Sequence, residues 1–415
     1  MILIKPSSIP GRLVSAFFAL IALVILLITW DCGERQVSSQ DEFDPVVRRF
    51  LIEGTNALKG LEFDRALALV DSAEKYKPNN ADLHFLRGRI YSELIRWDAA
   101  EISYRKALDL RPDYRGVWNN LGNNEYRKQD YNKAITYYEK ELERSQVAIP
   151  WTGMGRTYSQ LGNNDSAMYA FEQAIAIDSA YAPAYFNMAL LEEKEGNPEA
   201  AFERAHRALS LAPNNLDYRY QVGAILVKMG RAEEALQYLE PVAEARSWHH
   251  ATYYNLGQAY MRLGREEKAQ EYMDRAEYLR AQDAKITHLE TSVLVTPRSY
   301  ANHAALGVAL RRVGRYNDAL HAYMTGLHID PQNPEIMNNL ASLHMIRGDT
   351  TLAIKYYRTI LMSDPFSVDV WLNLGVVYAL SGDVEQAEAA WQTVLRINPD
   401  NQRALTYLKK IGKQP

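Results

Sequence analysis

The chain has 415 residues, 47% of them hydrophobic, which suits two or three ordinary domains or one extended repeat array and excludes a disordered protein. Its 47 basic and 51 acidic residues leave a net charge of −4, so it carries no electrostatic footprint for nucleic acid. The single cysteine, Cys32, excludes an internal disulfide and any cysteine-built zinc or iron–sulfur site.

The first predicted element is apolar. Residues 13–30, LVSAFFALIALVILLITW, carry no charge and read as one transmembrane helix. At 1.5 Å per residue the run reaches about 27 Å, close to a hydrocarbon core of ~30 Å. Lys5 and Arg12 precede it, whereas Asp31, Glu34, Asp41, Glu42 and Asp44 follow. The positive-inside rule therefore puts residues 1–12 in the cytoplasm and the body outside it, in the periplasm if the source is a Gram-negative bacterium. No small-residue cleavage site follows the run, so a retained signal anchor is the favoured reading. Two alternatives stay open, cleavage near Ser39 and lipidation at Cys32. A bacterial lipoprotein signal wants small residues before its cysteine, and Trp30 and Asp31 stand there. Residues 31–46 then form an acidic linker.

From residue 47 the chain is periodic. Ala66, Ala100, Ala134, Ala167, Ala201, Ala235 and Ala269 recur at about 34 residues, and Ala319, Ala353 and Ala387 resume after a step of about 50. Twelve residues before each alanine stands another small residue, among them Gly88, Gly122, Gly155, Ala189, Ala341 and Gly375. A third series runs through Gly162, Gly196, Gly230, Gly264, Gly314, Gly348 and Gly382. In residues 371–400, WLNLGVVYALSGDVEQAEAAWQTVLRINPD, Trp371, Leu374 and Tyr378 keep helical spacing until Gly382, which can adopt the left-handed conformation that ends a helix. Asp383 is placed to cap a second helix carrying Ala387, Trp391 and Val394, which Pro399 stops. Antiparallel helix pairs result, with small residues where they cross.

Trp371, Leu374, Gly375, Tyr378, Ala387, Trp391 and Pro399 resemble the tetratricopeptide repeat pattern, with Val394 replacing one alanine. The resemblance implies an all-α fold, a right-handed α-solenoid of about ten helix-turn-helix repeats. Repeats one to seven occupy 47–283 and repeats eight to ten 300–401. Residues 284–299, AKITHLETSVLVTPRS, separate the two blocks, and Ile286, Leu289 and Val293 predict a lengthened second helix before a short link. Such an insert should bend or offset the stack. Residues 402–415 give a capping helix and tail, with Leu405, Leu408 and Ile411 turned to the last repeat.

The resemblance further implies a concave groove lined by first helices at their second, fifth, sixth, ninth and twelfth or thirteenth positions. Asn120, Asn187, Gln221, Asn255, Asn339 and Asn373 hold the sixth position, with Asn119 and Asn338 at the fifth and Asn123 at the ninth. A carboxamide both donates and accepts, so a row of them can pair with the backbone of an extended peptide. The arrangement is similar to the asparagine ladder of O-linked N-acetylglucosamine transferase. Fifth-position Phe85, Phe186, Tyr220, Tyr254 and Leu372 could add apolar pockets. The asparagines could equally bond a neighbouring helix, and the aromatics could pack on the next repeat.

No phosphate loop, nucleophile elbow or zincin string occurs; GMGRTY, residues 153–158, holds a repeat glycine within a helix. His249 and His250 are adjacent and point apart, a poor start for a metal site. The expectation is a membrane-anchored scaffold that binds another protein, with no catalytic residues, metal, cofactor, nucleic acid or small-molecule substrate. The alternative is an accessory subunit of a membrane enzyme or of a secretion or cytochrome-maturation system, using its convex face.

Overall fold

The computed structural model describes residues 44–412, and among them every regular element is an α-helix. Residues 13–30 and Cys32 lie outside the described residues. No helix among the described residues is long and apolar enough to cross a membrane.

The helices pair in chain order. In repeats one to five, α1 (Pro45–Lys59) pairs with α2 (Phe63–Tyr76), α3 (Ala81–Glu93) with α4 (Trp97–Leu110), α5 (Val117–Arg127) with α6 (Tyr131–Leu142), α7 (Ala148–Gln160) with α8 (Asn164–Ile177), and α9 (Ala182–Glu195) with α10 (Pro198–Leu211). Repeats six and seven are α11 (Leu216–Lys228) with α12 (Ala232–Ala245) and α13 (His250–Arg262) with α14 (Glu266–Val295). Repeats eight to ten pair α15 (Tyr300–Val313) with α16 (Tyr316–Ile329), α17 (Pro334–Ile346) with α18 (Thr350–Ser363), and α19 (Val368–Leu380) with α20 (Val384–Ile397). A last helix, α21 (Gln402–Lys410), closes the array.

Each repeat alanine, from Ala66 to Ala387, is fully buried where paired helices cross. In five repeats the glycine of the first helix meets a ring from the second, and at Gly223 and Gly257 it meets Leu239 and Met273: a Cβ on Gly122 would lie 2.7 Å from the Tyr138 ring. A methyl group at Gly122 would press on that ring, whereas the buried Ala189 and Ala341 fill the same position in repeats five and nine, so the position requires a small residue. Several helix starts are capped by the side chain just before them. Asp44 Oδ1 accepts from the Val46 and Val47 amides, so α1 begins inside the expected linker, and Asp383 Oδ1 accepts from the Gln386 amide at 3.1 Å.

The turn between paired helices needs one residue with positive φ. Gly382 supplies it at φ 84°, but the first three repeats place Leu61, Ile95 and Gln129 there, at φ 60°, 57° and 64°. A β-branched residue in this region is a strained choice, so Ile95 must be held by its surroundings.

Residues 284–295 continue α14 as one 30-residue helix. Its Ile286 and Val293 join the core of repeat eight, packing with Leu310, Val313 and Ala319. First helices α11 and α13 touch each other, whereas α13 and α15, which flank the extension, make no comparable contact, and neither do α9 and α11 or α17 and α19. At the C-terminus Ala404, Leu408, Tyr407 and Ile411 cover the last core. Leu405, expected to share that role, stays outside the cluster because Ala404 takes the inward position.

The array also comes full circle. Helix α16 touches α2, and His328 Nδ1 lies 2.5 Å from Asp64 Oδ1 across 264 positions of sequence.

Candidate protein-interaction groove

Along most of the array each first helix touches the next first helix as well as the preceding second helix, while successive second helices make no comparable contact. The layer whose neighbours approach closest is the inner one. The first helices therefore form the concave wall.

Repeats five to seven gather the densest set of candidate side chains. Gln221 Nε2 and Lys228 Nζ both donate to Glu193, across the step from α9 to α11. Asn255 Nδ2 donates to the Tyr220 hydroxyl at 3.2 Å and to the Ala251 carbonyl at 2.9 Å. The His249 ring stands edge-on to Tyr220, with centroids 4.6 Å apart, and its Nδ1 lies 2.7 Å from Thr252 Oγ1. Burial, reinforced by the Glu193 charge, pushes the Tyr220 hydroxyl up to about 12, so it stays a neutral donor and acceptor. Burial also lowers the His249 imidazole. Beside this network Tyr254 is 49% exposed, and its hydroxyl accepts from Gln258 Nε2 at 2.6 Å. The wall thus offers one large open aromatic next to a braced polar patch.

The other candidates are more committed to the fold. Asn120 Nδ2 donates to the Gly116 carbonyl and Asn187 Nδ2 to the Pro183 carbonyl, each at 2.7 Å, so both amides back-bond their own helix. Asn123 accepts from the Tyr138 hydroxyl at 2.9 Å. Gln221 is 4% and Asn339 9% exposed, which leaves little of either amide for a ligand. Phe85 stacks on Tyr114 at 5.0 Å and Phe186 packs on Tyr218 at 4.8 Å, each filling the joint to the next repeat. Leu372, 1% exposed, is core of repeats nine and ten and supplies no pocket, because its neighbours Val370 and Leu374 bury that helix on both sides. Asn373 and Asn338 line a cleft of about 530 Å³ whose rim carries Glu335, Asp364 and Asp369. The ladder is discontinuous as a result.

Two features escaped the spacing argument. Glu141 is buried and accepts from the Gly116 amide at 2.6 Å and the Asn119 amide at 3.2 Å, capping α5 from α6. Asn124, also buried, donates to Ser92 Oγ at 2.9 Å, tying repeat three to repeat two. Neither sits at a groove position, and a polar residue on the packed face of its helix, Glu141 on α6 and Asn124 on α5, was the only signal. His250 Nδ1 lies 2.5 Å from Asp283, away from the partners of His249. Among the described residues no three metal-ligating side chains converge.

Comparison with known proteins decides the family. The description Tetratricopeptide repeat matches residues 53–115, 114–180, 192–246, 226–292, 304–368 and 344–411. The chain belongs to the tetratricopeptide repeat family. This tetratricopeptide repeat chain is 26% identical over 170 residues to the anaphase-promoting complex subunit CDC16 of Saccharomyces cerevisiae, a match covering 39% of this chain and 20% of that protein. It is 36% identical over 84 residues to the human protein O-mannosyl-transferase TMTC1, covering 19% of this chain and 10% of the relative. The chain thus spans a small fraction of these relatives. Among solved structures, PilW, described as a type IV pilus biogenesis factor, aligns with TM-score 0.45 at 20% identity, covering 51% of this chain and 98% of PilW.

Proposed function

We propose that this protein is a membrane-anchored scaffold that holds an extended segment of a partner protein along its first-helix wall. Residues 13–30 are the anchor, the repeats lie outside the cytoplasm, and the partner belongs to an assembly of the cell envelope. The observation that carries the reading is the Asn255 amide, held by the Tyr220 hydroxyl and braced from behind by the buried Gln221–Glu193 contact, beside the open Tyr254 ring. Prepositioned polar groups next to an exposed aromatic match the anatomy of an interaction hot spot. The relatives point the same way, since two are named as a subunit of the anaphase-promoting complex and a BBSome complex member.

A second reading has its own observation. A cleft of about 1010 Å³ between α18, α19 and α20 is lined by Leu361, Trp371, Tyr378 and Leu395, with Arg358 and Arg396 at its edge. An accessory-subunit role through the outer helices would use this cleft.

Crosslinked pull-down from mild detergent separates the two. Replacing Tyr254 and Asn255 by alanine should release the dominant partner, while Met362→Asp in the outer cleft should keep it. Retention by the groove variant together with loss from the cleft variant would transfer the function to the outer face.

A further inference from the structure

The join between the two ends of the array differs in kind from the joins within it. Neighbouring repeats are bound by fully buried side chains such as Tyr104, Tyr138 and Tyr323. Where repeats eight and nine meet repeats one and two, the apolar contribution is thin. Met324 lies against the buried clusters on both sides, and Ile95 reaches the cluster of repeats eight and nine. Two histidines on α16 complete the seam. His328 Nδ1 faces Asp64 at 2.5 Å, and His321 Nε2 lies 3.5 Å from Glu93. The Phe63 ring stands edge-on to both imidazoles, at 5.8 and 6.4 Å.

Such a seam is built to part. Asp64 is 66% exposed, and exposed ion pairs hold little. The first helices line the inside of the closed loop of repeats, so parting the seam opens the groove along one side. We propose that this seam is a latch: the groove encloses its partner segment when α2 and α3 rest on α16, and exchanges it when they separate. The proposal rests on the groove reading for its ligand, but the opening of the seam does not.

Charged groups from several helices meet across the seam. His321 faces Glu93 of α3, with Arg89 and Arg127 acting on the same carboxylate and His303 of α15 acting on the imidazole. The neighbouring His321 imidazole holds the Glu93 carboxyl below its usual range against the effect of burial. His328 faces Asp64, and Glu62 acts on Tyr356 of α18.

The test uses the full chain with Cys32→Ser and spin labels at Ala68→Cys on α2 and Asn317→Cys on α16. Pulsed-EPR distances are compared between this chain and its charge-reversed variants. One short distance is expected in this chain, and His321→Glu with His328→Glu should abolish it. Adding Asp64→Lys and Glu93→Lys to that variant should restore it, which separates a broken latch from a misfolded chain. In a parallel sample Tyr254→Cys should react several-fold faster with a maleimide-polyethylene glycol when the latch is open. An unchanged distance in the charge-reversed variant, failure of the swap to restore it, or an unchanged reaction rate with an open seam would each overturn the proposal. None of these readouts involves a partner, so a failed latch and a failed groove are distinguishable.

Discussion

Three residues show how side-chain identity and backbone geometry trade against each other. Leu61, Ile95 and Gln129 occupy a turn position that glycine fills in later repeats. The left-handed region costs an ordinary residue about 1–2 kcal/mol, and glycine loses roughly 0.5–1 kcal/mol of that gain in chain entropy. Gln129 is exposed and has nothing to set against the strain. Gln129→Gly should therefore stabilise repeat three by roughly 0.5–1 kcal/mol, read as slower amide exchange in α5 and α6. Ile95→Gly removes the same strain but also the contact with repeats eight and nine, so it should give no gain. At Gly122 the balance reverses. Alanine improves helix propensity by about 1 kcal/mol, but its Cβ would press on the buried Tyr138 ring, costing about 1–3 kcal/mol. Gly122→Ala should accelerate exchange around that crossing, and slower exchange would show that the ring has room to move. The alanines and glycines were legible in the sequence because each marks the same crossing at a fixed interval. The fates of Asn120 and Asn187 were not, because a row of amides looks alike in spacing whether it faces a ligand or bonds its own helix.

Single helices depend on partners from other elements. The buried Glu141 carboxylate caps α5 from α6, and Ser145 Oγ donates to it at 3.1 Å. Glu141→Ala strands two backbone amides and should cost about 1–3 kcal/mol, seen as faster exchange at Gly116 and Asn119. Histidines buried in first helices set the acid response. Burial lowers His84 of α3, His303 of α15 and His344 of α17, so each stays neutral in the folded chain and gains a proton more readily when unfolded. Their stabilising effect is complete above the ordinary imidazole range near ~6.5 and is lost as pH falls through it toward the lowered folded values. The thermal midpoint should therefore drop between about pH 7.5 and about pH 5, and a flat profile would contradict this assignment. The α14 extension was readable from Ile286, Leu289 and Val293. The cap from Glu141 was not, because it joins helices through one side chain with no periodic counterpart.

Across the whole molecule, stability is a sum of repeats and nearest-neighbour joins, with one long-range contact added. Ala235→Trp, at a fully buried crossing in repeat six, should loosen α11 and α12 and their immediate neighbours. Exchange spreading equally to both ends would contradict that local picture. Repeat number and order could be read from periodicity, which encodes neighbours. The seam between α2 and α16 could not, because its residues lie 264 positions apart and no interval repeats between them.

The central claim is that the first-helix wall is the binding face. A photocrosslinking residue in place of Tyr254 on that wall, or in place of Tyr169 on the second helix α8, tests it in the intact cell. Both sites are exposed, 49% and 56%, so reactivity depends on what lies opposite. The account predicts one dominant protein adduct from position 254 and none from position 169. The reverse pattern would contradict it and place the partner on the outer helices.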